Sequence, residues 1–331
     1  MKPIRLIELF AGIGSQAKAL KRLGYDFESY RVVEIDKYAI ASYNAVHGTD
    51  YKTSDIKDIR GSDLGIRERE RYSYLLTYSF PCQDISLAGK KAGFTKGSKT
   101  RSGLLWEVER LLDECYPDLP QYLLMENVPQ VISKKNKPDF DLWCKKLESL
   151  GYKNFYKLLN AKDYGIPQNR KRCFMVSILD QNANYQFPEP MELKLTLMDL
   201  LEDKVDEKYY LSDKILASFK AYNDRNEAKG NGFRFKPIPR ERAISHSILA
   251  STGRQCDTYV YEPERERERE RSVARSQHQQ AGLTRPTYLM KRTVVKPTDV
   301  AATLMSAYRG LVNTEYLNVV EEDRSKASGK D

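Results

Sequence analysis

Four side chains in this sequence are of types, and at places, that could carry nucleophilic chemistry: Cys82, Glu126, Arg170 and Arg172. Cys82 stands in Ser79-Phe80-Pro81-Cys82-Gln83-Asp84, directly after the apolar and aromatic run from Tyr72 to Tyr78. That run predicts a buried strand. Pro81 cannot donate to a sheet ladder and predicts that the strand has ended. A thiol on the loop leaving a central strand lies where open α/β sheets bind ligands, yet a lone cysteine is more often a small buried hydrophobe. Glu126 repeats the pattern: Tyr122-Leu123-Leu124-Met125 predicts a strand, and Pro129 stops it. A carboxylate there is poorly hydrated and can serve as an acid or base, or it can simply bind loop amides. Arg170 and Arg172, alternate residues of Gln168-Asn169-Arg170-Lys171-Arg172, share a face if extended. Two guanidiniums on one face suit a phosphate or carboxylate, or form an ordinary solvated edge.

The elements that must position these groups read as an α/β fold. Ile4 to Phe10 is a predicted strand, followed by Ala11-Gly12-Ile13-Gly14 and a helix over 16–23 that ends at Gly24. A second strand over 30–36 and a helix from Lys37 complete a β-glycine loop-α-β unit, the opening of a doubly wound parallel sheet. Gly12-x-Gly14-x-x-Ala17 is a relaxed nucleotide-binding fingerprint, and Glu34, 20 residues past Gly14, can accept ribose hydroxyls. Asp55 is a further acid after a short run, equally readable as a turn cap. Leu87 to Arg101 holds three glycines and five basic residues, suiting either a mobile loop that meets phosphates or a solvated one. Helices are predicted over 102–112 and 140–150, and strands over 152–159 and 173–179.

The chain has 331 residues, enough for about two domains, with 55 basic and 46 acidic residues and a net charge of +9. That excess permits a nucleic-acid partner without requiring one. The five cysteines (82, 115, 144, 173, 256) lack paired spacing, which argues against disulfides or a zinc site and for a reducing compartment. Cys115 and Cys144 read as packing residues. The N-terminus shows no signal peptide and no apolar stretch is long enough to span a bilayer, so a soluble, cytoplasmic protein is expected. Composition shifts at Phe187-Pro188-Glu189-Pro190, giving an expected division into 1–187 and 188–331. The second part carries the low-complexity Glu/Arg run over 264–271.

In order and spacing from residue 4 to about 180, these segments resemble the cytosine-5 DNA methyltransferases. Phe10-Ala11-Gly12-Ile13-Gly14 looks like that family's first cofactor motif. Glu34 matches its ribose-binding acid and Asp55 the residue that meets the adenine amino group. Pro81-Cys82-Gln83 matches the catalytic motif, Glu126-Asn127-Val128 the glutamate motif and Gln168-x-Arg170-x-Arg172 the arginine motif. The resemblance implies a Rossmann-like methyltransferase domain with a smaller, mostly β and irregular target-recognition domain. It implies S-adenosylmethionine held by Phe10, Ala11, Gly12, Gly14, Glu34, Ile35, Asp55, Ile56 and Leu104. Cys82, Glu126, Arg170 and Arg172 would be catalytic, and Gln83, Ser86, Asn127 and Gln168 would meet the substrate. The partner implied is double-stranded DNA, bound by a monomer without metal or membrane. Arg234, Lys236, Arg240, Arg242, Arg254, Arg292 and Arg309 are candidates for DNA contacts.

The chemistry explains the residue types. Carbon 5 of cytosine is a poor nucleophile until a thiolate adds at carbon 6, and a base inside a duplex must be flipped out first. In the family the chain then returns to the large domain with an Arg-x-Leu-Thr-Pro-like and a Gly-Asn-Ser/Ala-Val motif. Neither is found beyond Ala301-Ala302-Thr303-Leu304-Met305, so weakened cofactor binding or activity, or an incomplete chain, is expected. An RNA cytosine methyltransferase and a DNA-binding homologue weakened in catalysis are the alternatives. A nicotinamide oxidoreductase would explain Glu34 but neither Cys82 nor Glu126.

Overall fold

The computed structural model describes residues 2–85, 93–98, 100–202, 205–206, 210–230, 237–239, 242–247, 259–261 and 290–292. In chain order the first elements are β1 (Ile4–Leu9), α1 (Ser15–Arg22), β2 (Phe27–Val33), α2 (Lys37–His47), β3 (Ser73–Tyr78), α3 (Leu105–Cys115), β4 (Tyr122–Asn127), α4 (Lys137–Ser149) and β5 (Lys153–Asn160). Then come β6 (Gln168–Asn169), β7 (Lys171–Ile178), α5 (Asp213–Ala228), β8 (Ile238–Pro239), β9 (Ser245–His246), β10 (Tyr259–Tyr261) and β11 (Met290–Arg292). The chain forms two compact units and crosses between them at Asn160, at Arg170 and at Pro190.

The first unit is a six-stranded sheet in the order β2-β1-β3-β4-β7-β5. Its first four strands are parallel, and β7 runs antiparallel to both neighbours. The sheet is therefore mixed: β5 leaves one position open beside β4, and β7 fills it on the return. Leu6, Ile7 and Leu9 are all buried although alternate residues face opposite sides, as in a sheet covered on both faces. One large core joins β3 and β4 to Leu105, Val108 and Leu111 of α3 and to Phe140, Trp143 and Leu147 of α4. Within it, Trp143 Nε1 donates to Tyr78 Oη at 3.0 Å, so neither buried polar atom is orphaned.

A side-chain cap fixes the start of α2 near the sheet's carboxyl edge. Asp36 Oδ1 accepts from the amides of Tyr38 and Ala39 at the start of α2, at 2.8 and 3.2 Å. The chain goes from β1 outward to β2 and then back across to β3, so the direction of winding reverses between β1 and β3. Ligands of open α/β sheets bind at such a reversal. The glycine loop leaves β1 and the Cys82 loop leaves β3.

The second unit comprises 161–170 and the described parts of 191–308. β6 pairs in parallel with β9, and β10 lies between β11 and β8. A small core holds Leu197, Leu201, Ile238 and Val260. The sixteen-residue α5 adds to these short strands, with Leu216 and Phe219 buried on one side. Arg242 Nη1 lies 3.0 Å from His246 Nε2. Arg292 is in β11, whereas Arg234, Lys236, Arg240, Arg254, Arg309 and the Glu/Arg run 264–271 lie outside the described residues.

Candidate active site

β3 ends at Tyr78, and the next residues are tied down before and after Cys82. Phe80 is buried, its ring 5.8 Å from that of buried Phe94. The Phe80 carbonyl accepts from Asn127 Nδ2 at 3.0 Å, and Asn127 Oδ1 accepts from the Val128 amide at 2.8 Å. Asn127, itself buried, thus joins the loop after β3 to the end of neighbouring β4. Beyond Cys82, the buried side chain of Ser102 bonds to Pro81 and to Asp84. Cys82 itself is half-buried.

Glu126 is the next-to-last residue of β4, and Arg172 is the second residue of β7. Arg172 Nε lies 3.0 Å from Glu126 Oε1, with the two side chains 19% and 21% exposed. A partly shielded, charge-assisted pair holds the carboxyl group in one orientation while leaving it accessible. Arg172 Nη1 also donates to the Lys171 carbonyl at 2.8 Å. Arg170 and Gln168 belong to the second unit, both buried. Among the described residues, neither atom of the Gln168 side-chain amide has a hydrogen-bond partner. Ser86 lies outside the described residues, and Gln83 accepts from Arg101 Nη1 at 2.9 Å.

The remaining described cysteines are unsuited to attack. Burial pushes the Cys115 thiol up to about 11 and those of Cys144 and Cys173 up to about 12. They are packing residues, as read for Cys115 and Cys144. Of the basic loop, residues 93–98 are fastened to the domain. Trp106 Nε1 donates to the Phe94 carbonyl at 2.7 Å, and Lys96 pairs with Glu109 at 2.7 Å.

At the glycine loop, Phe10, Gly12 and Gly14 have φ of 58°, 59° and 78°. Glu34, buried just past β2, accepts from the Gly12 amide through Oε2 and from the Asp36 amide through Oε1, both at 2.9 Å. Each carboxylate oxygen can accept more than one bond, so these contacts still leave acceptor capacity. The Ser54 amide donates to the Glu34 carbonyl at 2.8 Å, which brings Asp55 and buried Ile56 beside the tip of β2. Asp55 Oδ1 caps the following turn by accepting from the Lys57 amide at 3.0 Å. Ile35 is 64% exposed, Ala11 is buried and Leu104 is half-buried.

These residues suit an adenosine-bearing group. A Cβ added at Gly12 would meet nothing within 4 Å, so the backbone faces open space at that residue. An apolar side chain and a carboxylate stand together at Ile35 and Glu34, the pair that a base and a ribose require.

Beneath the loop is a cluster that the sequence reading missed. Tyr43 Oη donates to Glu8 Oε2 at 2.6 Å, and His47 Nε2 lies 3.2 Å from the Ile13 carbonyl. Burial pushes the Glu8 carboxyl up to about 7, while burial moves the His47 ring downward. An acid inside the apolar run Ile7-Glu8-Leu9 was the available signal.

The family model for the C-5 cytosine-specific DNA methylases matches residues 4–318. The Type II methyltransferase M2.ScrFI of Lactococcus lactis subsp. cremoris is 36% identical over 257 residues, 63% of this chain and 71% of the relative. The orphan methyltransferase M.SssI of Spiroplasma monobiae is 34% identical over 318 residues, 80% of this chain and 78% of the relative. In fold, the Dnmt2 methyltransferase of S. pombe superposes with a TM-score of 0.64 over 94% of this chain and 90% of its own, at 19% identity. The chain belongs to the C-5 cytosine-specific DNA methylase family. It is a DNA cytosine-5 methyltransferase, and neither an RNA-directed nor a non-catalytic reading is favoured. Among the described residues no helix is long and apolar enough to cross a membrane.

Proposed function

We propose that this protein methylates carbon 5 of a flipped cytosine within a specific double-stranded DNA sequence, with Cys82 as nucleophile and Glu126 as the acid on the ring. The setting proposed is a restriction-modification system or a phage defence against one. The observation that carries the reading is the Asn127 strap, which holds the Cys82 loop against the end of β4, where Arg172 orients Glu126. Neighbouring strands lie roughly 4.8 Å apart, so thiol and carboxyl can address one ring.

Cys82 as thiolate adds to carbon 6, forming an S–C bond and moving the C5–C6 π electrons onto carbon 5. Glu126 keeps a proton at ring nitrogen 3 and so offsets the charge created by addition. Arg172 holds the Glu126 carboxyl in place through the pair at 3.0 Å. Phe10, Ala11, Gly12, Gly14, Glu34, Ile35, Asp55, Ile56 and Leu104 would hold S-adenosylmethionine, which would supply carbon 5 with an electrophilic methyl group and depart as the neutral thioether. A base then removes the carbon 5 proton, the C5–C6 double bond re-forms, and the Cys82 thiolate leaves. Arg170, Gln83, Ser86 and Gln168 are proposed to meet the base or nearby phosphate, with Asn127 positioning the loop. Flipping the base costs roughly a few kcal/mol, which DNA contacts must offset.

The test is covalent trapping on duplex DNA carrying 5-fluorocytosine, with S-adenosylmethionine present and tRNA as a parallel substrate. Carbon 5 then holds a fluorine that cannot leave as a proton does, so Cys82 stays bonded to carbon 6. A DNA adduct is expected with the unaltered protein and none with Cys82→Ala. Methylation by Cys82→Ala at the original rate would refute the assignment.

A further inference from the structure

The turn carrying Cys82 is fastened by two residues that the catalytic motifs do not include. Ser102 Oγ donates to the Pro81 carbonyl at 2.6 Å and accepts from the Asp84 amide at 3.2 Å. The Ser102 amide donates in turn to Asp84 Oδ2 at 3.2 Å. One hydroxyl thus closes the chain from Pro81 to Asp84, with Cys82 inside the closure. The Ile85 amide donates to the Cys82 carbonyl at 3.1 Å, tightening the same turn. Ser102 is fully buried and Asp84 is 8% exposed, so water does not compete for these bonds. The support behind Ser102 is rigid: it opens the short turn Ser102–Leu104 leading into α3, whose Leu105, Val108 and Leu111 are fully buried.

The arrangement ties both sides of one turn. A serine hydroxyl in a loop can satisfy one carbonyl anywhere, whereas here both ends of the catalytic turn converge on one side chain, and Asp84 returns a bond to that residue's own amide. We infer that Asp84 and Ser102 are positioning residues that fix the Cys82 sulfur for attack on carbon 6. The inference rests on Cys82 being the nucleophile proposed above. With the staple removed, the Pro81 carbonyl is released and Cys82 samples positions away from the base. A misplacement of about 1 Å can lower a rate roughly 100-fold. DNA binding, which does not depend on the sulfur's placement, is left intact.

The experiment compares Ser102→Ala, Asp84→Ala, Asp84→Asn and the Ser102→Ala/Asp84→Ala double variant in the full chain. Single-turnover methylation, DNA KM, thermal midpoint and adduct rate on 5-fluorocytosine DNA are measured for each. Ser102→Ala and Asp84→Ala are expected to slow turnover and adduct formation by about 10- to 100-fold, with KM within about twofold. Asp84→Asn keeps a carbonyl oxygen for the Ser102 amide and should recover most of the rate. The double variant should be no slower than the slower single one, since both break one unit. Adduct formation at the unaltered rate in Ser102→Ala, a raised KM with unchanged turnover, or slowing that disappears well below each variant's midpoint would overturn the inference. No adduct even with the unaltered protein would instead sink the nucleophile assignment, so the two failures are distinct.

Discussion

Two glycines of one loop should answer the same substitution in opposite ways. Gly12 and Gly14 have φ of +59° and +78°, so alanine at either is forced into the left-handed region. That strain costs an L-residue about 1–2 kcal/mol. Beyond it the positions part. A Cβ at Gly12 would meet nothing within 4 Å, but at Gly14 it would lie 2.4 Å from His47 Nε2 and 2.6 Å from Tyr43 Cε2. Tyr43 is fully buried and bonded to Glu8, so the ring cannot swing aside without breaking its bond to a buried carboxyl. Overpacking of this kind adds about 1–3 kcal/mol. Gly12→Ala should therefore lose about 1–2 kcal/mol of stability and Gly14→Ala about 2–5. At roughly 2–4 °C per kcal/mol, the melting midpoint falls by about 2–8 °C in the first case and about 4–20 °C in the second. Ligand binding should rank the other way. The Gly12 methyl projects into the space proposed for S-adenosylmethionine and should weaken its binding at least about tenfold, equivalent to about 1.4 kcal/mol. Thermal melts paired with calorimetric titration of S-adenosylmethionine read both quantities. Equal midpoints for the two variants, or unchanged affinity in Gly12→Ala, would refute the reasoning.

Two further outcomes follow from buried polar groups. Burial pushes the Glu8 carboxyl from its ordinary 4.5 up to about 7, so the folded state keeps a proton that the unfolded chain releases between those values. The resulting destabilisation is absent below the lower value, grows as pH rises, and is complete above the upper one at roughly 3 kcal/mol. Glu8→Gln should remove that slope in urea unfolding compared at about pH 5 and about pH 8, and parallel pH profiles for the two proteins would count against it. Asn127→Ala strands the Phe80 carbonyl and the Val128 amide, and should lower stability by about 2–4 kcal/mol in the same assay. A loss under about 1 kcal/mol would mean that the strap is not holding the loop.

Much of the scaffold was legible because its signals are local. Apolar runs ended by proline or glycine marked β1, β3 and β4, and the amphipathic repeats marked α3 and α4. Boundaries moved where a side chain left the ladder: the second strand, read over 30–36, runs Phe27–Val33, because Glu34 turns to bind the Gly12 and Asp36 amides. The antiparallel course of β7 was not legible, since strand direction depends on which edge remains open after β5 is placed. The basic loop read as one segment from its composition, yet the burial of Phe94 fastens its second half.

The sequence by itself determined the family: a cysteine, a glutamate and arginines stand in the order of the C-5 cytosine-specific DNA methylases, on elements whose hydrophobic periods need no tertiary information. Only the tertiary structure decided how those groups are held. The Glu126–Arg172 pair, the Asn127 strap and the Asp84–Ser102 staple each join segments distant in the chain. Their polar residues look like ordinary solvated or capping positions until burial removes water and requires each to find a partner.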